Sequence, residues 1–235
     1  MSIRLDKLLA DSGLGTRSSV RDLIKSGKVR VNEVPAKDPG QKVDPDNDLI
    51  AVNGKNISYE EYEYFMLNKP AGVVTATEDK KQTTVLDLIK DKKSRKLFPV
   101  GRLDKDTVGL LLITNDGELS HKLLAPGHHV DKTYLVRTDK PIDEELVERF
   151  KEGVDIGDEK LTLPAKLRLT DQSEAEITIV EGRYHQIKRM FEAFGLEVVY
   201  LKRLSMGELR LDETLEEGSY RRLTDDEIKC LTNRQ

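Results

Sequence analysis

GRLDKDTVGLLLITNDG, residues 101–117, is the stretch from which the fold and the chemistry of this chain can be approached. The apolar run 109–116 has the length of a strand and ends in turn-forming residues. Arg102 and Asp104 come just before it, so Asp104 is predicted to lie on a turn next to a rigid strand, where catalytic groups are often held. The same pattern also fits a structural turn that Asp104 caps and in which Arg102 pairs with it.

The segments on either side of this strand alternate between strand and helix patterns. Strands are predicted at the start of 65–77 and at 132–138, 163–170, 174–182 and, as a pair, 197–211. Helices are predicted at 83–90, 141–153, 185–195 and 223–231. Strands spread among isolated helices predict an α+β fold, with a mixed, mainly antiparallel sheet and flanking helices.

The first 58 residues predict a separate small domain. Two short helices fit the first 27 residues, with Thr16 as the N-cap of the second. An alternating strand is predicted at 28–34, and 48–57 reads as another strand with an Asn-Gly turn. We therefore expect an α-α-β-β domain over residues 1–58, a linker over 59–64 and a larger domain over 65–235.

The composition is that of a globular protein with a sizeable core. The chain has 235 residues, of which 37% are hydrophobic and 35% charged, and its net charge is −4. No apolar run is long enough to cross a membrane and no secretion signal is present, and Cys230 is the only cysteine. These features predict a cytoplasmic protein without a disulfide framework.

A net acidic chain is not a bulk coater of nucleic acid, but its charge is unevenly distributed. Residues 1–37 contain eight basic and four acidic side chains. Arg17, Arg21 and Lys25 recur every four residues of the second predicted helix, so they share one exposed face. This face is either a local binding patch or an ordinary solvated surface.

Searches for known cofactor motifs find none. The four histidines, which include His128 and His129, show no metal-binding spacing, and no glycine-rich nucleotide loop or serine-hydrolase elbow occurs. We therefore expect no metal and no cofactor.

Three further segments could contribute to a site, although each has an ordinary structural interpretation. LNKPAGVV (67–74) is a strand followed by a turn. Tyr134 either belongs to the core or stacks on a base. EGRYHQIKRMF (181–191) places basic residues beside a helix N-terminus, which suits phosphate binding, although such charges are usually a solvated helix face.

Taken together and in this order, these segments resemble the bacterial RsuA-type rRNA pseudouridine synthases. The segments that carry the resemblance are LNKPAGVV, GRLDKDTVGLLLITNDG, HHVDKTYLV and EGRYHQIKRMF. RLDKLLADSGLGTRS and LIKSGKVRVN in the first domain are similar to the S4-like RNA-binding domain. The resemblance covers nearly the whole chain and implies isomerisation of uridine to pseudouridine in rRNA without a cofactor or a metal.

The resemblance also implies roles for individual residues. Asp104 would be the essential carboxylate, acting either as a nucleophile or as a base that removes a ribose proton. Lys188 would be the cationic partner that keeps it charged, with Arg189 as the alternative. Tyr134 would stack on the target uracil, which must leave its base stack to reach Asp104.

Four further assignments concern binding. Leu201 would pack near the base, and Arg102 and Arg183 would bind backbone phosphate or brace the pocket. The face formed by Arg17, Arg21 and Lys25 would hold folded rRNA by its phosphates.

The segments look closest to the enzymes that act on 16S rRNA, so we expect 16S rRNA or a partly assembled small ribosomal subunit as the partner. A 23S rRNA synthase and a non-catalytic rRNA-binding assembly factor are the alternatives. We expect a monomer with no obligate protein partner and no membrane association.

Overall fold

The computed structural model describes residues 2–90, 92, 97–125, 127 and 130–232. The chain forms two compact units, of which the first extends to Glu63 and the second holds most of the chain from Tyr64 onward. In the described ranges, no helix has the length and apolar character needed to span a bilayer.

The first unit contains two helices and two small sheets. The helices are α1 (Leu5–Asp11) and α2 (Arg17–Lys25). The strands are β1 (Ile3–Arg4), β2 (Val29–Val31), β3 (Val34–Pro35), β4 (Lys42–Val43), β5 (Ile50–Val52) and β6 (Lys55–Asn56). Strand β1 pairs with β4, and the other four form a sheet in the order β3-β2-β5-β6. Apolar side chains from both helices and both sheets share one core.

Local sequence signals explain much of this unit. The Thr16 side chain accepts a hydrogen bond from the Ser19 amide, 3.3 Å away, which confirms Thr16 as the N-cap of α2. The single strand predicted at 28–34 is wrong, because Asn32 and Glu33 adopt φ angles of 49° and 66° and turn the chain back into β3. Asparagine tolerates this left-handed conformation, and a turn of this kind joins two short antiparallel strands.

The basic face of α2 is present, but one of its members is already paired. The buried carboxylate of Asp6 accepts hydrogen bonds from Arg4 Nε at 3.1 Å and from Arg21 Nε at 3.1 Å. These hydrogen bonds, with that to Arg4 the strongest influence, lower the pKa of Asp6 to about 2. Arg21 therefore ties α2 to α1, whereas Arg17 and Lys25 are exposed.

The second unit is built on a nine-stranded sheet. Its strands are β7 (Tyr64–Lys69), β8 (Phe98–Pro99), β9 (Val108–Thr114), β10 (Lys132–Thr138), β11 (Lys166–Asp171), β12 (Glu174–Ile179), β13 (Val198–Met206), β14 (Leu209–Arg210) and β15 (Tyr220–Arg222). Its helices are α3 (Gly117–Leu124), α4 (Glu145–Glu152), α5 (Gln186–Glu192) and α6 (Asp225–Thr232). The main strand order is β11-β12-β10-β13-β9-β7-β15, with β14 on β13 and β8 on β9. This mixed, mainly antiparallel sheet with helices confirms the predicted α+β class.

Strand β9 is buried at every residue and forms the parallel pairing with β13. Gly109 faces Arg203 in this pairing and has a φ angle of +97°. A Cβ atom at Gly109 would lie 2.4 Å from the Arg203 carbonyl oxygen, so only glycine allows the two backbones to approach this closely. The pairing fixes β9 in the middle of the sheet, directly after the Asp104 turn.

Two sequence expectations for this unit need correction. Residues 83–90 do not form a helix: Thr84 makes an isolated bridge to Val74, and its amide and hydroxyl both donate to the Asp87 carboxylate. These side-chain bonds close a local turn that competes with a helix. Helix α3 was not predicted, because the turn residues after β9 also serve as its start, where Asp116 accepts a hydrogen bond from the Leu119 amide.

Candidate active site

A cavity in the second unit brings together six of the seven site residues predicted for the larger domain. It is lined by Arg102, Leu103, Asp104, Thr107, Tyr134, Ile179, Gly182, Arg183, His185, Gln186, Ile187, Lys188 and Leu201. These residues come from the turn before β9, from β10 and β13, and from the segment that leads from β12 into α5. Arg189 is the predicted residue that does not line it.

The turn that carries Asp104 is held by its own backbone and by Thr75. The Thr107 amide donates to the Asp104 carbonyl at 3.1 Å. The Thr75 hydroxyl donates to the Leu103 carbonyl at 2.7 Å and accepts from the Leu103 amide at 3.3 Å. These bonds fix the backbone on both sides of Asp104, whose side chain lines the cavity.

A buried lysine supports the same turn from beneath. Lys69, at the end of β7, is 0% exposed, and its ammonium group donates to the carbonyls of Pro70, Lys105 and Thr107 at 3.0, 3.3 and 2.9 Å. Burial lowers the pKa of Lys69 to about 8, and the nearby carboxylates of Asp106 and Asp104 oppose that shift. The sequence singled out this segment only as a strand and a turn, so the role of Lys69 was missed.

Two nitrogen-bearing side chains lie near the Asp104 carboxylate. Lys188 Nζ is 3.5 Å from one oxygen of Asp104, and His185 Nε2 is 3.5 Å from the other. Lys188 lies closer to Asp106, with Nζ at 2.6 and 2.8 Å from its two oxygens, and this hydrogen bonding lowers the pKa of Asp106. Lys188 is therefore shared between two carboxylates, which the sequence analysis did not anticipate. In the described residues no ion pair joins Arg102 to Asp104, so that alternative is not supported.

An apolar wall completes the cavity. Tyr134 on β10 and Leu201 on β13 are 7% and 6% exposed and belong to adjacent antiparallel strands. Both side chains line the cavity that contains Asp104. A flat ring and a leucine beside a carboxylate suit a planar, partly apolar group such as a nucleobase.

The arginines around the cavity differ in how they are bound. Arg183 donates to the carbonyls of Lys160 and Leu161, both at 2.7 Å, and pairs with Glu181. Arg189 pairs with Asp158 at 2.6 Å. Both guanidinium groups therefore brace the loop before β11. Arg102 is exposed, and its guanidinium makes no hydrogen bond or ion pair within the part of the chain that the structure describes.

His185 entered the sequence analysis only as one of four histidines that could bind a metal, and it was assigned no role in this site. It adopts a left-handed conformation with φ 49° directly before α5, which turns its ring towards Asp104. No periodicity or spacing rule predicts such a conformation for histidine. The adjacent histidines that were considered as metal ligands, His128 and His129, lie outside the described residues, so the expectation of no metal stays a prediction.

Comparison with known proteins places the chain in a family. The family model for RNA pseudouridylate synthase matches residues 63–193, which include Asp104, Tyr134 and Lys188.

The chain belongs to the RNA pseudouridylate synthase family.

The synthase also carries an S4 domain, whose family model matches residues 3–50. It is 48% identical to the Bacillus subtilis RNA pseudouridine synthase YtzG over 99% of this chain and 100% of that protein. It is 41% identical to the ribosomal small subunit pseudouridine synthase A of Escherichia coli, over 96% of this chain and 98% of that protein. A crystal structure of a pseudouridylate synthase with 41% identity matches with a TM-score of 0.70, covering 97% of this chain and 99% of the other.

Proposed function

We propose that this pseudouridine synthase isomerises a uridine of 16S rRNA, with Asp104 as the essential carboxylate. The observation that carries the proposal is the cavity in which Asp104, Tyr134 and Lys188 come together from distant parts of the chain. Relatives from Escherichia coli and Vibrio cholerae, at 41% and 42% identity, are named ribosomal small subunit pseudouridine synthases, which supports the small subunit as the source of the RNA.

The reaction is a redox-neutral rearrangement, so acid, base and nucleophile suffice. The bond between ribose C1′ and uracil N1 breaks, the base turns in the pocket, and a bond between C1′ and C5 forms. The proton on C5 leaves, and N1 gains one. An ionised Asp104 next to the ribose can either form a transient bond or remove a ribose proton.

Lys188 and His185 lie on either side of the Asp104 carboxylate, each 3.5 Å from one of its oxygens. The Lys188 ammonium group attracts a negatively charged oxygen at this distance, and the attraction is stronger where water is partly excluded. Tyr134 and Leu201 provide the apolar surface against which the uracil ring turns. Since a uracil inside a helix cannot reach this cavity, the nucleotide has to be extruded from its stack.

The exposed cation beside the cavity fits the RNA backbone. Arg102 is unpaired among the described residues and lies two positions from Asp104, so it can contact a phosphate next to the extruded uridine. Arg183 and Arg189 hold the neighbouring loop and contribute to substrate binding through that loop.

A map of pseudouridines in rRNA tests the proposal. Unmodified 16S and 23S transcripts and partly assembled small subunits are incubated with the wild type and with Asp104→Asn, and new pseudouridines are located by chemical mapping. One new 16S site that depends on Asp104 is the expected result. A new site in 23S rRNA would show that 23S rRNA, and not 16S rRNA, is the substrate. Tight binding without any new site would favour a non-catalytic assembly factor.

The first unit is proposed to hold rRNA through the exposed face of α2. Replacing Arg17 and Lys25 by alanine is expected to weaken rRNA binding and to reduce the slope of log affinity against log salt by about 1.5, since each lost phosphate contact contributes about 0.7 to 0.9. Arg21 is left in place because it pairs with buried Asp6.

The matched control replaces Arg149 and Lys151, two exposed cations of α4, and removes the same charge. Filter-binding titrations at several salt concentrations measure both slopes. An equal change of slope in the two double variants would show that bulk charge, rather than this face, governs binding.

A further inference from the structure

Tyr184 is an aromatic residue that the fold leaves in solvent next to the active site. It is 76% exposed, more than any other large hydrophobic side chain among the described residues. Its ring stacks on the ring of His185, with centroids 3.9 Å apart and an angle of 16° between the planes. One face of the tyrosine is therefore covered by a second ring, and the rest of the side chain is open.

The two rings are held by a well-braced turn. They occupy its two central positions, and the Gln186 amide donates to the Arg183 carbonyl at 3.2 Å to close it. The Arg183 amide donates to the Gln186 side chain at 2.9 Å, and Arg189 donates to the Tyr184 carbonyl at 3.1 Å. Gln186 itself is buried. These bonds fix the backbone from which the two rings project.

The backbone of His185 is also unusual. Its left-handed φ of 49° is uncommon for a residue other than glycine, although histidine adopts it more often than most. Backbone conformations of this kind concentrate at ligand-binding and catalytic positions. The same ring lines the cavity and lies 3.5 Å from Asp104, so the stack runs from the carboxylate out to the solvent.

We propose that Tyr184 and His185 form a stacking platform for an unpaired nucleobase that neighbours the target uridine in the RNA. The proposal rests on the proposed function, since it assumes that a uridine enters the cavity. Extruding a nucleotide leaves its neighbours without a stacking partner on one side. A flat, exposed aromatic surface replaces that partner for any base, because every base has a π-face.

A platform of this kind determines which RNA is accepted. It selects uridines in loops or unwound segments, where the neighbouring base is free to leave its own pairing. It places little restriction on the identity of that base. Tyr184 is therefore a substrate-binding residue outside the cavity, and its contribution is to affinity rather than to the chemical step.

RNA affinity measured in a catalytically inactive variant tests this proposal separately from the chemical step. In the Asp104→Asn background, Tyr184→Ala is expected to weaken binding of a short synthetic RNA centred on the mapped uridine by about 5- to 100-fold, as for loss of one base–aromatic stack. Tyr184→Phe is expected to bind like the parent. Tyr200→Ala, which removes another tyrosine of this unit, is the matched control. Thermal melting should be unchanged, since Tyr184 is exposed.

A set of abasic RNAs identifies the base. Each nucleotide beside the target is replaced in turn by an abasic residue, and binding by the parent protein is compared with binding by the Tyr184→Ala variant. At one flanking position the difference between the two proteins should disappear. If the difference persists for every abasic RNA, or if Tyr184→Ala binds as well as its parent, the platform does not exist.

A single-stranded oligouridylate keeps this test independent of the mapping experiment. If no rRNA site is found but Tyr184→Ala still weakens oligouridylate binding, the platform stands and the proposed substrate is wrong. If an rRNA site is found and Tyr184→Ala binds normally, the function stands and the platform is wrong.

Discussion

Replacing Asp104 by asparagine is expected to abolish pseudouridine formation while RNA binding remains intact. The change keeps the size of the side chain and removes the carboxylate that either a nucleophile or a base at this position would need. Loss of a nucleophile or base typically lowers turnover by about 10⁴-fold or more. Affinity should stay the same or rise slightly, since a negative charge near a polyanion is lost.

Single-turnover assays and equilibrium binding on the same rRNA measure these two effects. Asp106→Asn is the matched control, because it makes the same chemical change two residues away and also removes a partner of Lys188. Its turnover should fall much less, because Lys188 then remains free to pair with Asp104. If turnover falls by a comparable factor in the two variants, Asp104 is not the essential carboxylate.

Replacing Lys69 by methionine is expected to destabilise the protein and to lower its activity together. Three backbone carbonyls lose a buried donor. Two of them, those of Lys105 and Thr107, belong to the turn between Asp104 and β9. Loss of a buried charged donor of this kind costs about 2–4 kcal/mol of unfolding free energy. Urea unfolding and single-turnover rates measure the two effects.

Lys132→Met is the matched control for Lys69→Met. Lys132 is also a buried lysine, but its ammonium group donates to the carbonyl of Val130. Lys132→Met is expected to lower the unfolding free energy less than Lys69→Met does, and to leave the turn that carries Asp104 in place. If Lys69→Met is as stable and as active as the wild type, Lys69 does not support the turn.

The titration of Lys69 gives a further readout of the same contact. Its pKa is about 8 in the folded protein and 10.5 in the unfolded chain. Between these values the unfolded state binds more protons, so this group makes the folded state more stable as pH rises, by on the order of 3 kcal/mol in total. The difference in unfolding free energy between wild type and Lys69→Met should grow across this interval and be flat below pH 8.

Regular elements were predictable where local signals agree with tertiary packing. The strand predicted at 132–138 matches β10 residue for residue. Its side chains alternate in the sequence pattern, and in the structure one face of the strand is more deeply buried than the other. The helix at 83–90 failed because Thr84 and Asp87 satisfy their polar groups locally, and its apolar residues then pack without a helix. Spacing alone does not distinguish these two outcomes.

The candidate site was predictable in composition but not in arrangement. Motif resemblance indicated Asp104, Tyr134 and Lys188, and the cavity contains all three. That Lys188 is shared with Asp106, and that Arg189 turns away to Asp158, depend on side-chain directions at the start of α5. Likewise, His185 lines the site with a left-handed backbone conformation that no sequence pattern indicates.

The parallel pairing of β9 with β13 has a consequence for synthesis of the protein on the ribosome. Val108 pairs with Lys202, so β9 acquires this neighbour only after residue 202 has been translated. Contacts between residues this far apart in sequence form slowly and late. We therefore expect a nascent chain that ends before β13 to have a folded first unit, while the turn that carries Asp104 still lacks its final support from the sheet. Activity should appear only after β13 has been translated, which keeps shorter nascent chains from modifying RNA.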